Sequence, residues 1–520
     1  MAVNSNEVSI LTAHEGTLAG DWLRWAETSA PRLGRRRVLF STFDWAPDWT
    51  SQTDKKNPRN WSRLRKTIST LIICSIGFTT TLGASIYAPG HEQVQQEFGV
   101  STTISLLPLS AYSLGLAFGP MISSPLSETF GRKFVYLLTL PLCDVFMLGA
   151  GLARNIASLI ICRFFAGLFA APGVSVAAAT ISDFMAPDRR VVPLAAYYAV
   201  PFIGSSIGPL IGGFAVQGEG WRWTSWVVLI MAGVFHPLAL FLRESYKATI
   251  LQKRARKELV VGHGNADGWV GGSATTATAT ETNLLRLRRF VTSTIARPIH
   301  MLTTEPLVGF ICLYTGFQFA LLYTFVVASP WVFKTVYGFS LSGQSLSFLG
   351  LVVGCLVAPF ILIAMDSILR DRKMMQQGQE TQTFHPERKL YTALYGSLVL
   401  PIALFWFGWS ARPEVHWMSP IIAQGTALLG SILIYVPCNF YMLDVYGSKY
   451  GASASGASSL SRYTLSAAFP LFVTQMYEAL GVGWATSVLG FAALVMAPIP
   501  WLFYYFGPRL RARSSYEHGT

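Results

Sequence analysis

Apolar residues are gathered along this chain into twelve stretches, each close to the ~20 residues that an α-helix needs to cross a bilayer. Short polar segments separate these stretches, and one longer polar segment divides them into two groups of six. The pattern predicts an all-α membrane protein with twelve transmembrane helices in two six-helix halves. The predicted spans are 68–88, 102–122, 134–153, 157–180, 192–214, 223–243, 306–329, 341–365, 391–410, 418–442, 453–477 and 484–506.

The same pattern divides the chain into five parts. A polar tail over 1–66, which we expect to be disordered, precedes the first half at 67–243. A polar linker over 244–305 leads to the second half at 306–506, and 507–520 form a second tail. Because no apolar signal sequence precedes the first span, we expect that span to act as its own insertion signal.

Charge predicts the orientation of the spans. Charged residues make up 13% of the chain and hydrophobic residues 52%, whereas soluble domains carry roughly 25% charged residues. Of the 40 Lys and Arg residues, 34 lie on the side of the membrane that holds both termini and the linker. The positive-inside rule therefore makes that side cytoplasmic. The same distribution explains the net charge of +13 without a nucleic-acid partner.

Two polar segments leave alternatives open. Residues 262–282 are rich in Gly, Ala and Thr and are typical of a disordered linker. Residues 284–297 alternate basic and apolar residues, which suits either a helix on the anionic inner leaflet or a solvated basic linker. The N-terminal 60 residues, which carry four tryptophans among basic residues, allow the same two interpretations.

Catalytic and metal-binding patterns are absent from the sequence. The six cysteines all lie in apolar stretches and show no metal-ligand spacing, and the eight histidines are scattered. There is no HExxH, GxSxG or P-loop motif. We therefore expect neither an enzyme nor a bound metal or cofactor, and an ion gradient must supply the energy for any active transport.

Short motifs resemble the major facilitator superfamily. Between spans two and three lies Ser124-Pro-Leu-Ser-Glu-Thr-Phe-Gly-Arg-Lys133, which is similar to the superfamily's signature loop, with Ser124 in place of its first glycine. The resemblance implies a conformational latch formed by an acid and nearby bases at a tight turn. Its residues here are Glu128, Gly131, Arg132 and Lys133.

Span four contains Arg163 within a segment that resembles the superfamily's second motif, whose arginine is implicated in proton coupling. An arginine at this depth costs roughly 2.5–3.5 kcal/mol on insertion scales, so it should face a cavity or an acid. Spans three and four form a hairpin, and Asp144 and Arg163 differ in depth by about three residues, or ~4.5 Å. The spacing predicts an Asp144–Arg163 pair, or at least a shared polar cluster. The resemblance implies that Arg163 takes part in proton coupling, and such a pair would include Asp144.

Span five contains the decapeptide Gly204-Ser-Ser-Ile-Gly-Pro-Leu-Ile-Gly-Gly213. Glycines four residues apart lie on one helix face and allow another backbone to approach closely, and a proline bends the helix. The segment resembles the motif that the superfamily's drug:proton antiporters share and its importers generally lack. Its five defining positions are Gly204, Gly208, Pro209, Gly212 and Gly213.

Further segments of the second half are similar to the fungal twelve-span drug:proton antiporters, close to the polyamine and multidrug exporters. They include Phe405–Trp409, Asn439–Tyr446, Ser461-Arg462-Tyr463 and Gly481–Phe491. The resemblance covers about residues 58–514 and implies the major facilitator fold. Polar residues that we expect to line the substrate cavity at mid-depth are Tyr87, Tyr112, Gln318, Tyr323, Tyr435, Asn439 and Arg462.

Together these features predict a monomeric multi-pass transporter that exports a small organic molecule, such as a toxin, pigment, drug or other secondary metabolite. Proton antiport with alternating access would drive it, with protons and the lipid bilayer as its other partners. The alternatives are a polyamine exporter and a nutrient uptake permease. The small number of acids within the spans favours neutral or anionic aromatic cargo over polyamines. We expect the plasma membrane, with a vacuolar or vesicle membrane as the alternative.

Overall fold

The computed structural model describes residues 49, 53–186, 190–262, 296–376 and 386–511. Most of the predicted tail 1–66 lies outside the described residues. So do the linker segment 263–295, with all but the end of the predicted amphipathic segment 284–297, and residues 512–520.

The described part of the chain is helical throughout and contains no strand, which confirms the predicted all-α class. Four short 3-10 helices at Pro58–Asn60, Ala88–Gly90, His236–Phe241 and Pro386–Leu390 join the longer elements. The α-helices are α1 Arg63–Ser85, α2 His91–Phe98, α3 Thr102–Phe130, α4 Arg132–Gly151, α5 Ile156–Ala170, α6 Pro172–Phe184, α7 Val191–Glu219, α8 Trp223–Phe235, α9 Lys247–Gly262, α10 Arg297–Thr304, α11 Pro306–Tyr337, α12 Leu341–Ser347, α13 Leu349–Gln376, α14 Tyr391–Ser410, α15 Met418–Ala468, α16 Pro470–Met496 and α17 Pro498–Arg511.

Side-chain caps and glycines mark where these helices begin and end. The hydroxyls of Ser62 and Ser101 accept hydrogen bonds from the first turns of α1 and α3, and the Asn155 side chain does the same for α5. Each cap satisfies a backbone N–H that has no partner within its own helix. Gly131, with φ +101°, separates α3 from α4 because other residues rarely adopt that conformation.

Eleven helical stretches of the described chain are long and apolar enough to cross a membrane. The twelfth predicted span, 453–477, comprises the second part of α15 and the start of α16. The 51 residues of α15 fold back on themselves, because Arg462 contacts Tyr435, 27 residues earlier, a separation of about 40 Å along a straight helix. A second reversal lies within α16 at Gly481, where φ is +71° and ψ is 163°.

Helices α1–α8 form one bundle and α11–α17 another. Within the first, α1 packs on α7, α3 on α5, and α4 on α5 and α8; within the second, α11, α13 and α14 all pack on α15. The two bundles meet where α3 packs on α15 and where α7 packs on α12 and α13. We call the end that carries Arg63 and Arg511 the terminal face and the end that carries Glu92 and Gly481 the opposite face.

Candidate functional site

Arg163 of α5 lies deep in the first bundle with 1% of its surface exposed. Its Nη2 donates to the carbonyl of Ala84 at 3.2 Å and its Nε to the carbonyl of Pro108 at 3.4 Å. The rings of Tyr112 and Tyr87 lie 4.8 and 5.3 Å from the guanidinium carbon. Because Ala84 is in the last turn of α1, Arg163 is placed at the negative end of that helix.

The predicted Asp144–Arg163 pair is wrong. The Asp144 carboxylate lies 3.0 Å from Nδ1 of His236, which follows α8, and Arg163 donates instead to backbone carbonyls. Both residues lie within membrane-spanning helices, as their positions in the sequence predicted. Position along a helix gives only depth in the membrane, and the direction of a side chain depends also on the rotation of its helix about its own axis. The Ala84 carbonyl at the end of α1 and the Pro108 carbonyl of α3 accept the hydrogen bonds that the prediction assigned to a carboxylate.

The loop between α3 and α4 is built around Glu244, which the sequence analysis did not single out. Its carboxylate accepts from the backbone N–H groups of Arg132 and Lys133 at 2.9 and 3.2 Å. A carboxylate is stabilised in this place because the first N–H groups of a helix have no partners and carry partial positive charge. A methyl group on Gly131 would overlap the same carboxylate.

Arg132 forms the ion pair of this loop. Its Nε lies 3.2 Å from Oδ2 of Asp183 in α6, and its Nη1 donates to Ser127 Oγ at 2.6 Å. The guanidinium also lies 4.9 Å from the centre of the Tyr246 ring. Burial raises the pKa of the Tyr246 phenol, so the ring stays neutral beneath the cation.

Glu128, the predicted acid of this latch, is exposed and forms no hydrogen bond or ion pair with any residue that the structure describes. Its neighbour Ser127 faces Arg132, and one residue along a helix is a rotation of about 100°. Lys133 likewise donates to the Leu240 carbonyl, at 2.7 Å, and not to an acid. The acids that contact this loop are therefore Asp183 and Glu244.

The glycines of the decapeptide lie along two contacts of α7. A methyl group on Gly204, Gly208 or Gly212 would overlap atoms of α1, from Thr81, Ser85 and Ile86 in turn. A methyl group on Gly213 would overlap Ser345 of α12, in the second bundle. Pro209 lies within α7 and leaves it continuous from Val191 to Glu219. The segment therefore packs against both bundles.

Arg462 lies in the second bundle, among aromatic rings at its contact with α7. It donates to the hydroxyls of Tyr435 and Ser459. The rings of Tyr435, Phe319 and Tyr463 lie 5.2, 5.3 and 5.6 Å from its guanidinium carbon. Tyr198 and Phe202 of α7 both pack against the Tyr435 ring. Phe319 packs against both Tyr435 and Tyr463.

The other predicted cavity residues divide into two kinds. Asn439 and Tyr87 are engaged locally: Asn439 donates to the Tyr435 carbonyl at 2.8 Å and Tyr87 to the Ser105 carbonyl at 2.7 Å. Tyr112 similarly donates to the Thr80 carbonyl at 2.9 Å. Gln318 and Tyr323, in contrast, are buried and their polar atoms have no hydrogen-bond partner among the described residues.

Ion pairs join the two bundles at both ends. At the terminal face, Arg190 lies 3.0 Å from the carboxylate of Asp444, which also pairs with Lys389. At the opposite face, Lys334 lies 2.7 Å from Glu92. These residues could not be singled out from the sequence, because each lies just outside a predicted span, where a charge is ordinary.

Comparison with known proteins identifies relatives over most of the chain. The profile of the Major Facilitator Superfamily matches residues 73–470. Polyamine transporter 4 of Saccharomyces cerevisiae is 34% identical over 498 residues, which are 91% of this chain and 73% of that protein. The citrinin biosynthesis cluster transporter mrr1 of Monascus ruber is 33% identical, over 90% of this chain and 92% of its own. The ascochitine biosynthesis cluster transporter of Didymella fabae is 34% identical, over 90% and 89%.

Solved structures agree on the fold. The proton:xylose symporter XylE, bound to 6-bromo-6-deoxy-D-glucose, superimposes with a TM-score of 0.61 at 15% identity. The match covers 85% of this chain and 97% of that structure. At this identity the likeness supports the fold, and it leaves the cargo and its direction of movement to other arguments.

Proposed function

Because the chain belongs to the major facilitator superfamily of transporters, we propose that it exports a small organic molecule by proton antiport. The cargo in this proposal is a toxin, pigment, drug or other secondary metabolite, and no cofactor takes part. The protein works as a monomer in the plasma membrane with both termini in the cytoplasm. The terminal face is then the cytoplasmic face and the opposite face the external one.

The observation that carries this proposal is the packing of α7. The residues that resemble the antiporter motif, Gly204, Gly208 and Gly212, lie against α1, while Gly213 touches Ser345 of the second bundle. A helix in such close contact transmits any tilt directly to its neighbours, because close-packed interfaces do not deform continuously. In this proposal, Gly204, Gly208 and Gly212 couple the movement of α7 to α1, and Gly213 closes the contact between the two bundles at the external face.

Alternating access is supported by the ion pairs that join the bundles. Arg190–Asp444 and Lys334–Glu92 lie at opposite faces and cross between the same two bundles. Rocking of one bundle against the other would break one pair while it keeps the other. The arrangement suits a transporter that opens to one side at a time.

Proton coupling in this proposal involves Arg163 and Asp144, now as separate sites. Arg163 holds the end of α1 and a carbonyl of α3, so a change in its hydrogen bonds would move two helices at once. Asp144 and His236 form a carboxylate–imidazole pair between α4 and the end of α8. An ionisable pair within membrane spans is a default candidate for a functional proton site.

The relatives are compatible with both secondary metabolites and polyamines as cargo. One is a polyamine transporter and others belong to the citrinin and ascochitine biosynthesis clusters. Polyamines carry several positive charges and would need acids in the site. Asp144, within a span, and Asp444, at the terminal face, already face imidazole or cationic partners. This favours the secondary-metabolite interpretation over polyamine export, and the antiporter motif favours export over nutrient uptake.

Transport into inside-out vesicles tests the proposal. Labelled 2-naphthoate, 2-naphthamide and spermidine are offered to vesicles with an acidic lumen, and vesicles lacking the protein serve as the blank. We expect an aromatic probe to accumulate against its passive distribution and a protonophore to abolish the accumulation. Accumulation that survives the protonophore would exclude proton antiport, and accumulation of spermidine alone would support the polyamine alternative.

A further inference from the structure

Arg462 differs from Arg163 in what balances its charge. Arg163 donates to two backbone carbonyls, one of them at the negative end of α1. Arg462 donates only to the neutral hydroxyls of Tyr435 and Ser459, and its Nε has no partner among the described residues. Only 7% of its surface is exposed. A buried cation with neutral acceptors alone is costly unless an anion joins it.

No described acid is placed to balance Arg462. On the helices packed around it, Asp444 lies nine residues beyond Tyr435, about 13 Å along the helix axis, and pairs with Arg190 and Lys389. Glu305 precedes α11, fourteen residues before Phe319 or about 21 Å, and contacts Tyr446 at the terminal face. The aromatic rings around Arg462 stabilise its charge through their faces but do not neutralise it.

Polar groups without partners accompany this cation. Gln318, next to Phe319, leaves both atoms of its amide without a hydrogen bond, and Ser458 on the helix of Arg462 leaves its hydroxyl free. Buried polar groups are ordinarily paired, so a set without partners indicates places that a ligand's polar atoms would fill.

Residues of the first bundle cover this site. Phe202 of α7 lies 4.7 Å from Phe319 and 5.1 Å from Tyr435, and Tyr198 lies 6.0 Å from Tyr435, measured between ring centres. Since α7 belongs to one bundle and Arg462 to the other, separation of the bundles would uncover the guanidinium. A flat ligand could then take the place of the α7 rings between the remaining aromatic faces.

We propose that Arg462 binds the anionic group of the cargo, so that the transported molecules are aromatic or conjugated acids carrying a carboxylate or enolate. The guanidinium fork matches a carboxylate with two parallel hydrogen bonds. Phe319, Tyr435 and Tyr463 hold the conjugated body, and Gln318 meets its neutral polar atoms. This inference rests on the proposed export function and names the class of its cargo.

Binding of three probes with one ring system tests the assignment. Purified full-length protein in lipid nanodiscs is titrated calorimetrically with 2-naphthoate, 2-naphthamide and 2-naphthylmethylammonium at neutral pH. We expect the wild type to bind the anion at least about ten-fold more tightly than the amide, the size expected for a charge-assisted bidentate contact. Arg462→Gln should remove this ratio, because glutamine carries no charge that would favour the anion over the amide.

Matched variants separate the charge from the fold. Arg412→Gln removes an arginine that stacks on Trp409 outside the bundle contact and should leave the anion-to-amide ratio unchanged. Tyr435→Phe removes a neutral acceptor of Arg462 while it keeps the ring, and it should preserve or increase the ratio. If Arg462→Gln does not elute as a folded monomer, Arg462→Lys, which loses the fork but keeps the charge, should lower the ratio.

Three results would overturn the inference: equal or tighter binding of the ammonium, a ratio that Arg462→Gln and Arg462→Lys leave intact, or no binding of 2-naphthoate at millimolar concentration. The vesicle assay distinguishes this failure from failure of the proposed function. If the pH gradient drives 2-naphthamide while the Arg462 variants change no preference, only the cargo class is wrong. If the gradient drives no probe, the export function is wrong.

Discussion

In the first bundle, charged side chains form hydrogen bonds with backbone groups where the sequence suggested charged side-chain partners. Arg163 is held by carbonyls of Ala84 and Pro108, and α4 begins against the carboxylate of Glu244. The Ala84 carbonyl and the N–H groups that meet Glu244 lie at helix ends, where backbone groups have no partner within their own helix, whereas Pro108 lies inside α3. Such partners have no side-chain signature, so no residue type in the sequence marks them.

Asp144 and His236 should behave as one energetic unit. We expect Asp144→Asn and His236→Gln each to lower the free energy of unfolding by about 1 kcal/mol, the usual net contribution of a hydrogen bond, because this contact is only partly buried. The double variant should lose about as much as either single one, because both remove the same 3.0 Å contact. Thermal unfolding in detergent measures this. Exchanging the charges of Asp144 and Arg163 should not recover the free energy of unfolding that the single variants lose. Recovery would instead support a direct Asp144–Arg163 pair.

Gly131 should be intolerant of any side chain. Gly131→Ala places a methyl group on the Glu244 carboxylate at φ +101°, so it strains the backbone and displaces the acid from the start of α4. We expect loss of transport and a lower melting temperature. Gly99→Ala is the matched control, because Gly99 also has positive φ, +63°, but open space around it. That control should cost only about 1–2 kcal/mol for the left-handed conformation.

At the scale of elements, α7 is a helix of the first bundle that also packs on the second. Its glycine face lies on α1, its Gly213 meets α12, and its aromatic residues Tyr198 and Phe202 cover the second bundle. One helix therefore contributes to the seal at the opposite face and to the contact at the centre. Changes along it should affect turnover more than membrane insertion.

Gly208→Val should stop turnover while the protein still reaches the membrane. The added groups would overlap Ser85 and press on the backbone at Ile86, so α1 and α7 could not close together. Gly218→Val lies on the same helix with no atom near the added Cβ, and it controls for the lower helix propensity of valine. Initial export rates at equal surface expression provide the comparison. Equal rates for the two variants would contradict the role of the close contact.

For the whole molecule, the proposed alternating access makes the conformational balance depend on the ion pairs at opposite faces. Asp444→Asn removes the acid shared by Arg190 and Lys389, and Lys334→Gln removes the partner of Glu92. We expect the first variant to favour opening at the terminal face and the second at the opposite face. The Lys334–Glu92 pair is exposed and contributes about 1 kcal/mol at most, so its loss should shift the population by up to about five-fold. The pairs of Asp444 are largely buried, and their loss should give a shift at least as large.

Distances between spin labels on the two bundles measure these shifts. Labels near each face, placed on residues outside the pairs, should report longer distances at the terminal face for Asp444→Asn and at the opposite face for Lys334→Gln. Arg412→Gln, a charge removal at Trp409 within the second bundle, should move neither. Identical shifts from both ion-pair variants would show that the pairs do not act as opposed closures.

Much of this protein could be predicted from one sequence because a bilayer imposes strong one-dimensional rules. Apolar length sets the spans, and the spacing of Gly204, Gly208 and Gly212 sets a flat helix face that the structure places on α1. Span 453–477 shows the limit: it is divided between α15 and α16, because helix boundaries follow Pro470 and local packing and not hydropathy.

Partnership, in contrast, was decided only in three dimensions. Depth along the membrane follows from counting residues, but the rotation of each helix follows from packing against all of its neighbours. Asp144 therefore meets His236, and Arg132 meets Asp183 in place of Glu128. The sequence alone identifies Arg462 as a cation within a span. Only the assembled bundles show that its acceptors are neutral and that no acid among the described residues lies near it.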